Sequence, residues 1–225
     1  MKTDINRRDF LKRAGSAALA MGGVAAVAGC KGGETSAPAG TEEKAGGGEM
    51  TYRTNNGNGD KVSILGYGCM RWPMIKDENG KDIIDQETTD RLIDYAIEHG
   101  VNYFDTAPVY LQGQSEAATG RSLKRYPRDS YFIATKLSNF SNASLENSIE
   151  MYRNSLRNLQ TEYIDYYLLH SVNRGNLDKY DGHDCWNWGL KLKEEGKIRW
   201  FGFSFHDKPE VLDELLSKHT VDFVQ

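Results

Sequence analysis

Strand-like apolar runs alternate with helix-like segments along most of this chain, and that alternation restricts the fold more than any other feature. Strand character is found at residues 65–69, 102–106, 130–136, 163–170, 199–204 and 221–225. Apolar residues at helical spacing occupy the intervals, at 86–98, 115–125, 144–159, 186–195 and 209–218. Such alternation predicts a parallel sheet whose two faces are covered by helices.

Two parallel architectures fit the alternation, a doubly wound sheet and a TIM barrel. A doubly wound nucleotide-binding sheet requires a glycine-rich turn directly after its first strand. Here Gly66 and Gly68 lie within the first strand, LGYGC, and no phosphate-binding loop follows. We therefore predict an α/β fold of the TIM (β/α)8 type. A hairpin is predicted before it, with TYRT and KVS paired across the turn NNGNG.

The predicted barrel occupies residues 50–225 and is incomplete, with about five βα units and a sixth strand. Its 176 residues compare with roughly 250 in a typical barrel. The seventh and eighth strands, where such barrels commonly hold a phosphate, are missing from this pattern. We expect the sequence to be a fragment or a truncated reading frame.

The first 29 residues have the features of an export signal. Arg7-Arg8 and the residues that follow, DFLK, resemble a twin-arginine signal, and residues 14–29 are rich in alanine and glycine. Val27-Ala28-Gly29-Cys30 resembles a bacterial lipobox. We expect a protein of the periplasm or cell envelope, lipid-anchored at Cys30. The alternative is a disordered basic leader with an incidental cysteine.

The segment between leader and barrel, residues 30–49, is predicted to be a flexible glycine-rich tether. Membrane contact is expected only through the lipid, because no stretch is apolar enough for long enough to form a stable span. The formal net charge is −4, and no basic run occurs beyond the first thirteen residues. That pattern argues against nucleic-acid binding.

Two cysteines, Cys69 and Cys185, lie in the predicted barrel. They could pair in an oxidising compartment, but each lies inside a patterned segment. Two small buried thiols are the favoured interpretation.

Four ionisable side chains follow or end three successive predicted strands. Asp105 ends the second strand and Tyr110 comes five residues later, while Lys136 and His170 end the third and fourth strands. Each residue type alone commonly has a structural role at such a position. Because the carboxyl ends of parallel barrel strands converge on one rim, the four are expected to meet at one point.

These residue types suit the protonation of an oxygen that gains negative charge. Tyrosine has a reference pKa of roughly 10 and must be made more acidic to donate a proton near neutral pH. We expect Asp105 to orient the Lys136 ammonium, and that ammonium to favour the phenolate form of Tyr110. His170 can hold a substrate carbonyl oxygen by a hydrogen bond.

The quartet, carried in FDTAPVY, IATK and YLLH, resembles that of the aldo-keto reductases. The segments LGYGCMR, GVNYFDTA, YIDYYLLH and GKIRWFGFSFHD agree with this resemblance, which covers residues 50–225. It implies a TIM barrel that uses NADPH, or NADH, to reduce a small aldehyde or ketone to an alcohol. In that family hydride passes from the nicotinamide to the carbonyl carbon, and the tyrosine supplies the proton.

The resemblance also implies a set of cofactor contacts and no metal site. By position these contacts are Gly68, Cys69, Met70, Asp105, Ser204 and Gln225. One departure from the family pattern follows the fifth strand, where the usual asparagine is replaced by Phe205. His206 is the nearest candidate to replace its carboxamide. The predicted loop of about fifteen residues after His170, 171–185, is expected to shape the pocket.

Three functional hypotheses remain open from the sequence. The leading one is an exported reductase that carries its nucleotide with it or receives electrons from a partner protein. The second is a non-catalytic envelope lipoprotein, and the third is a cofactor-binding regulatory barrel. Both alternatives follow from the missing C-terminal strands.

Overall fold

Strands and helices alternate as predicted in the computed structural model, which describes residues 49–55, 57–139 and 144–225. The strands are β1 (Tyr52–Thr54), β2 (Lys61–Ser63), β3 (Tyr67–Gly68), β4 (Met74–Lys76), β5 (Asp82–Ile84), β6 (Tyr103–Asp105), β7 (Phe132–Leu137), β8 (Ile164–Val172), β9 (Ile198–Phe205) and β10 (Phe223–Val224). The helices are α1 (Gln86–Glu98), α2 (Ser115–Leu123), α3 (Leu145–Leu159), α4 (Leu177–Gly182), α5 (Cys185–Glu194) and α6 (Pro209–Lys218). Short 3-10 turns occupy Cys69–Arg71, Tyr110–Gly113 and Arg128–Ser130.

The main sheet has six parallel strands in the order β3-β6-β7-β8-β9-β10. This order follows the chain, so each helical crossover returns to the neighbouring position. The predicted α/β class is therefore confirmed, and the sheet corresponds to six of the eight strands of a TIM-type barrel. The predicted leader and lipobox, with Cys30, lie outside the described residues. In the described part, no helix is long and apolar enough to cross a membrane.

Side-chain alternation along the strands separates two packing environments. On β7, Ile133 and Leu137 pack in the outer clusters that face the helices. Ala134 lies between them and packs on the inner face with Tyr166 and Leu168 of β8. The inner face is completed by half-buried aromatic residues from the neighbouring strands, Tyr103, Phe132, Trp200 and Phe223. Period-two alternation thus sends every second residue of a strand towards the barrel interior.

Local capping fixes the ends of the helices that pack on the sheet. The Asp85 carboxylate accepts a hydrogen bond from the Thr88 backbone N–H at the start of α1, and Ser144 does the same for Asn147 at α3. After α1 the chain turns through Gly100, whose φ of +86° is one that glycine adopts without strain. The turn at Gly100 directly precedes the entry of the chain into β6.

The N-terminal hairpin, β1 with β2, contacts the inner face of the sheet near the start of its strands. Asp60, in the turn, accepts hydrogen bonds from the Tyr166 hydroxyl at 2.8 Å and the Trp200 indole at 2.8 Å. It also pairs with Arg199 at 2.6 Å. A buried carboxylate with three donors joins the hairpin to β8 and β9.

Two elements differ from the sequence prediction. A second hairpin, β4 with β5, turns at Asn79-Gly80, a strong hairpin dipeptide that the prediction overlooked. The predicted loop 171–185 contains the short helix α4, so describing it as a loop throughout was wrong. Its six residues, LDKYDG, are too few to show a helical repeat. Cys69 and Cys185 are free and buried in different clusters, which confirms the favoured interpretation of two packed thiols.

Candidate active site

The ends of β6 and β7 place a carboxylate beside a buried ammonium. Lys136 is 2% exposed, and its ammonium donates to Asp105 Oδ1 at 2.6 Å, to the Thr106 carbonyl at 2.9 Å and to the Tyr110 hydroxyl at 3.1 Å. A lysine has three N–H donors, and these three partners use all of them. The ammonium is thereby fixed between the carboxylate and the phenol.

Tyr110 reaches the lysine from an unusual turn. The three residues after it, Leu111, Gln112 and Gly113, have φ values of 50°, 57° and 86°. For the two non-glycine residues, backbone of this kind costs on the order of 1–3 kcal/mol each. The Lys136 ammonium lies 4.9 Å from the centroid of the Tyr110 ring. The turn therefore holds the phenol against the charge, although no glycine in the sequence marks its first two positions.

His170 completes the predicted quartet from β8. Its ring meets the Tyr110 ring edge-on, with centroids 5.7 Å apart, and its Nδ1 lies 2.5 Å from Ser138 Oγ. Burial lowers the pKa of His170 to about 4, assisted by the positive charges of Lys136 and His206. The imidazole is neutral near pH 7, with one nitrogen that donates and one that accepts.

The three predicted cofactor positions at the end of β3 have different environments. Gly68 is exposed, and a Cβ built there would meet no atom of the described residues within 4 Å. Met70 is 46% exposed. The Cys69 side chain is fully buried, and burial raises the pKa of its thiol to about 12, so this thiol is inert. Any contact of Cys69 with a cofactor would use its backbone, and the three assignments stay predictions.

Ser204, next to the last residue of β9, and Gln225, directly after β10, lie at the same level because Phe203 pairs with Val224. Ser204 Oγ accepts from the Ser171 backbone N–H at 2.6 Å. The Gln225 amide donates to Asp105 Oδ2 at 2.9 Å. A hydroxyl and an amide side by side, next to the Asp105 carboxylate, form a donor set that suits a carboxamide such as that of nicotinamide.

The two residues that depart from the family pattern lie beyond this pair. Phe205 is half-buried and contacts Phe203, with ring centroids 6.3 Å apart. His206 is exposed, and its backbone N–H donates to the Val172 carbonyl at 3.1 Å. Replacement of the missing carboxamide by His206 stays a prediction.

Comparison with known proteins identifies the family to which this site belongs. Residues 65–225 match the model of the aldo/keto reductase family. This chain belongs to the aldo/keto reductase family. It is 32% identical over 176 residues to probable aldo-keto reductase 1 of Glycine max, covering 74% of this chain and 48% of the relative. It is also 32% identical over 161 residues to L-galactose dehydrogenase of Arabidopsis thaliana, covering 69% and 49%. The chain thus spans about half the length of the curated relatives it matches.

Solved structures of the family share the fold of this aldo/keto reductase chain. The holo form of an aldo-keto reductase from Bacillus halodurans superposes with a TM-score of 0.63 at 30% identity, covering 78% of this chain and 56% of that one. An aldo/keto reductase from Klebsiella pneumoniae, in complex with NADP and acetate, gives a TM-score of 0.55 at 27% identity, covering 72% and 52%.

Two residues near the quartet of this family member were not found from the sequence. Ser138 contacts His170, and the Tyr180 hydroxyl lies 2.8 Å from the His170 carbonyl. Ser138 follows Lys136 by two positions, so its side chain is expected on the same, inner side of the strand. This spacing can be read from the sequence. Tyr180 gives no such signal, because it lies in α4. Across the described ranges, no group of three or more histidine, cysteine, aspartate or glutamate side chains could hold a metal ion.

Proposed function

We propose that this protein is an NAD(P)H-dependent oxidoreductase that reduces an aldehyde or ketone to an alcohol, with Tyr110 as the proton donor. One observation carries the proposal: the buried Lys136 ammonium contacts the Asp105 carboxylate and the Tyr110 hydroxyl at once. An ammonium in this position stabilises the phenolate that remains when Tyr110 gives up its proton. Family membership supports the same reaction class.

The residues of this chain have distinct parts in the proposed reaction. A carbonyl oxygen beside both Tyr110 and His170 would accept hydrogen bonds from the phenol and the imidazole. As the C=O π bond breaks, Tyr110 transfers its proton to that oxygen, and solvent later returns a proton to the phenolate. Asp105 keeps Lys136 in place throughout. NADPH, or NADH, when bound, supplies the hydride that forms the new C–H bond.

We propose NADPH or NADH as the cofactor because polar side chains near the ends of two neighbouring strands fit its nicotinamide group. Ser204 and Gln225 would hold the nicotinamide carboxamide, and the open space at Gly68 leaves room for a ring. Cys69, through its backbone, and Met70 would lie beside it. The Klebsiella pneumoniae relative carries NADP, which supports a nicotinamide nucleotide here. The non-catalytic lipoprotein and the regulatory barrel gain no support from a quartet that is fully assembled.

The cellular location is proposed from the N-terminal sequence alone. Arg7-Arg8 and Cys30 support export by the twin-arginine route and lipid anchoring. Because that route carries folded proteins, the nucleotide could leave with the enzyme, and an electron-donor protein is the alternative. Mass spectrometry of the protein from its own cells tests this: a mature chain that begins at lipidated Cys30 is expected, and an unprocessed Met1 would contradict it.

The decisive experiment for the proposed function compares two tyrosine variants in a carbonyl-reduction assay. Oxidation of NADPH or NADH is followed with a panel of aldehydes and ketones. Tyr110→Phe is expected to lower kcat by roughly 10²–10⁴-fold, because the proton donor is lost. Tyr126→Phe is the matched control, since its hydroxyl bonds Asp94 rather than any member of the quartet. Equal rates in Tyr110→Phe and the unaltered protein would overturn the assignment.

A further inference from the structure

Ser138 lies directly beside His170 at the end of the sheet. The β7–β8 register pairs Lys136 with Leu168 and Leu137 with Leu169, so the next pair in line is Ser138 and His170. Ser138 is 4% exposed, and its backbone N–H contacts Met151 Sδ at 3.2 Å. Strand pairing on one side and helix α3 on the other therefore fix the position of the serine.

Near Ser138 and His170, a side-chain hydroxyl also connects the backbones of β7 and β8. The Tyr180 hydroxyl lies 2.8 Å from the His170 carbonyl and 3.2 Å from the Leu137 carbonyl, so one phenol spans both strands. Directly after His170, Ser171 has a φ of +56°, and its N–H is held by Ser204. The 2.5 Å separation between Ser138 Oγ and His170 Nδ1 thus follows from an anchored backbone on both sides.

The hydrogen-bond inventory decides which ring nitrogen carries the hydrogen. A serine hydroxyl has one hydrogen to donate, and a neutral imidazole has one N–H and one acceptor nitrogen. Among the described residues, the Ser138 hydroxyl has His170 Nδ1 as its side-chain partner. If Nδ1 carried the ring hydrogen, the hydroxyl could only accept, and its own hydrogen would be buried without an acceptor, which is costly. If Nδ1 accepts from Ser138, the hydroxyl hydrogen has its acceptor and the ring hydrogen lies on Nε2.

We propose that Ser138 is a positioning residue that holds His170 in the tautomer with its hydrogen on Nε2. In that tautomer Nε2 is a hydrogen-bond donor, as the carbonyl oxygen of the proposed reduction requires. The other tautomer would present a lone pair to the same oxygen and repel it. The catalytic consequence rests on the proposed function, whereas the tautomer itself does not.

Nitrogen NMR of the full-length protein, labelled with ¹⁵N-histidine, measures the tautomer directly. Long-range proton–nitrogen correlations distinguish a protonated Nε2 from a protonated Nδ1. The chain has five histidines, and the His170 signals are assigned by their loss in His170→Gln. We expect Nε2–H in the unaltered protein and in Ser138→Thr, and a mixture of tautomers in Ser138→Ala. A protonated Nδ1 in the unaltered protein, or an unchanged tautomer in Ser138→Ala, would overturn the proposal.

Kinetics test the consequence with a matched buried serine. Ser138→Ala is expected to lower kcat/KM for carbonyl reduction about tenfold, the lower end of the loss that follows when a metal-bound histidine loses its hydrogen-bond partner. Ser138→Thr should restore most of the rate because it keeps the hydroxyl. Ser122→Ala is the control: it removes a buried hydroxyl that bonds Asp90, on the outer side of the sheet, and should change neither rate nor tautomer.

The two proposals fail in different ways. If no carbonyl compound is reduced by the unaltered protein, the proposed function fails, while the tautomer measured by NMR still confirms or refutes the Ser138–His170 contact. If reduction occurs and the unaltered protein has Nδ1–H, only the role of Ser138 is overturned. If Ser138→Ala does not fold, the unaltered protein and Ser138→Thr still decide the tautomer.

Discussion

The two ends of the parallel sheet each hold a hydrogen-bonded carboxylate, buried at Asp60 and half-buried at Asp105, and the two carboxylates have different surroundings. At the N-terminal end, Asp60 accepts from Tyr166 and Trp200 and pairs with Arg199. At the C-terminal end, Asp105 accepts from Lys136 and Gln225. Both carboxylates accept hydrogen bonds from neighbouring donors. Hydrogen bonding alone therefore does not show which carboxylate takes part in a reaction.

The two carboxylates differ in the second group that their cationic partner, Arg199 or Lys136, contacts. Arg199, which pairs with Asp60, also pairs with a second carboxylate, Asp165, at 3.0 Å, and Asp165 pairs with Arg128 at 2.6 Å. The Lys136 ammonium, which pairs with Asp105, also contacts the Tyr110 hydroxyl, a group that can transfer a proton. The network at the N-terminal end therefore pairs charges with one another and joins structural elements, whereas the network at the C-terminal end places a charge beside a group that can react. Barrel enzymes place their chemistry at the C-terminal ends of the strands, which agrees with this division.

Replacing the cation of each network is expected to give the largest contrast in activity. Lys136→Met should lower kcat by about 10²–10³-fold, because the charge that stabilises the Tyr110 phenolate is lost. Arg199→Met removes a cation of the other network and should leave kcat nearly unchanged while lowering stability. Steady-state kinetics on both variants measure the contrast. A similar loss of kcat in both would show that the two ends are not functionally distinct.

Replacing the carboxylate at the N-terminal end is expected to give the largest loss of stability. Asp60→Ala should lower the free energy of unfolding by about 2–4 kcal/mol, because the buried Tyr166 hydroxyl, the half-buried Trp200 indole and the Arg199 charge lose their acceptor. Urea denaturation measures this change, and kcat below the unfolding transition should persist. The matched control is Asp82→Ala, which breaks an exposed pair with Lys76 and should cost less than about 1 kcal/mol. Equal losses in both variants would contradict a structural role for the Asp60 network.

The sequence reveals the C-terminal end of the sheet far better than the N-terminal end. Asp105, Lys136 and His170 could be predicted because each ends a recognisable apolar run, and parallel strands bring such ends together. Asp60 gives no comparable signal, since its partners Tyr166 and Trp200 lie 106 and 140 residues away. A turn sequence predicts the turn and not the surface on which it packs.

Two features of the site itself also exceed what the sequence shows. The left-handed backbone at Leu111 and Gln112 has no glycine to mark it, so tertiary packing overrides local preference there. The spacing of Ser138 from Lys136 predicts that its side chain points inward, but its contact with His170 depends on the register between β7 and β8. Register becomes readable only after the topology is known.

His170, at the C-terminal end of the sheet, should make the stability of the protein depend on pH. Its pKa falls from 6.5 to about 4 in the folded protein, so protonation opposes folding. The stabilisation is complete above pH 6.5 and is lost as the pH falls towards 4. We expect the urea midpoint of the unaltered protein to decrease between pH 6.5 and 4.5 more than that of His170→Gln.

The comparison with His170→Gln isolates this histidine from other titrating groups. Burial also lowers the pKa of His219, which acts in the same direction, and raises the pKa of Glu116, which acts in the opposite one. Both are present in each protein and cancel in the difference. Parallel pH profiles for the two proteins would show that His170 is not held neutral by its surroundings.

Substitutions of two glycines are expected to have the smallest effects. They test whether there is open space at the C-terminal end of the sheet. In the described part of the chain, a Cβ on Gly68 would meet no atom within 4 Å, whereas a Cβ on Gly202 would clash with the Phe223 carbonyl. Gly202→Ala should therefore destabilise the protein by about 1–3 kcal/mol, as overpacking does. Gly68→Ala should leave the urea midpoint nearly unchanged.

Gly68→Ala should instead act on the coenzyme, if the space beside it accepts the nicotinamide. We expect the KM for NADPH to rise about tenfold, the lower end of what one methyl group is worth in a close-fitting site, with kcat little altered. Coenzyme titrations in the steady state measure this. Because no atom of the described residues lies within 4 Å of the added methyl group, a shift of neighbouring side chains is not expected to hide an effect on KM. An unchanged KM would mean that the coenzyme ring lies elsewhere on the rim.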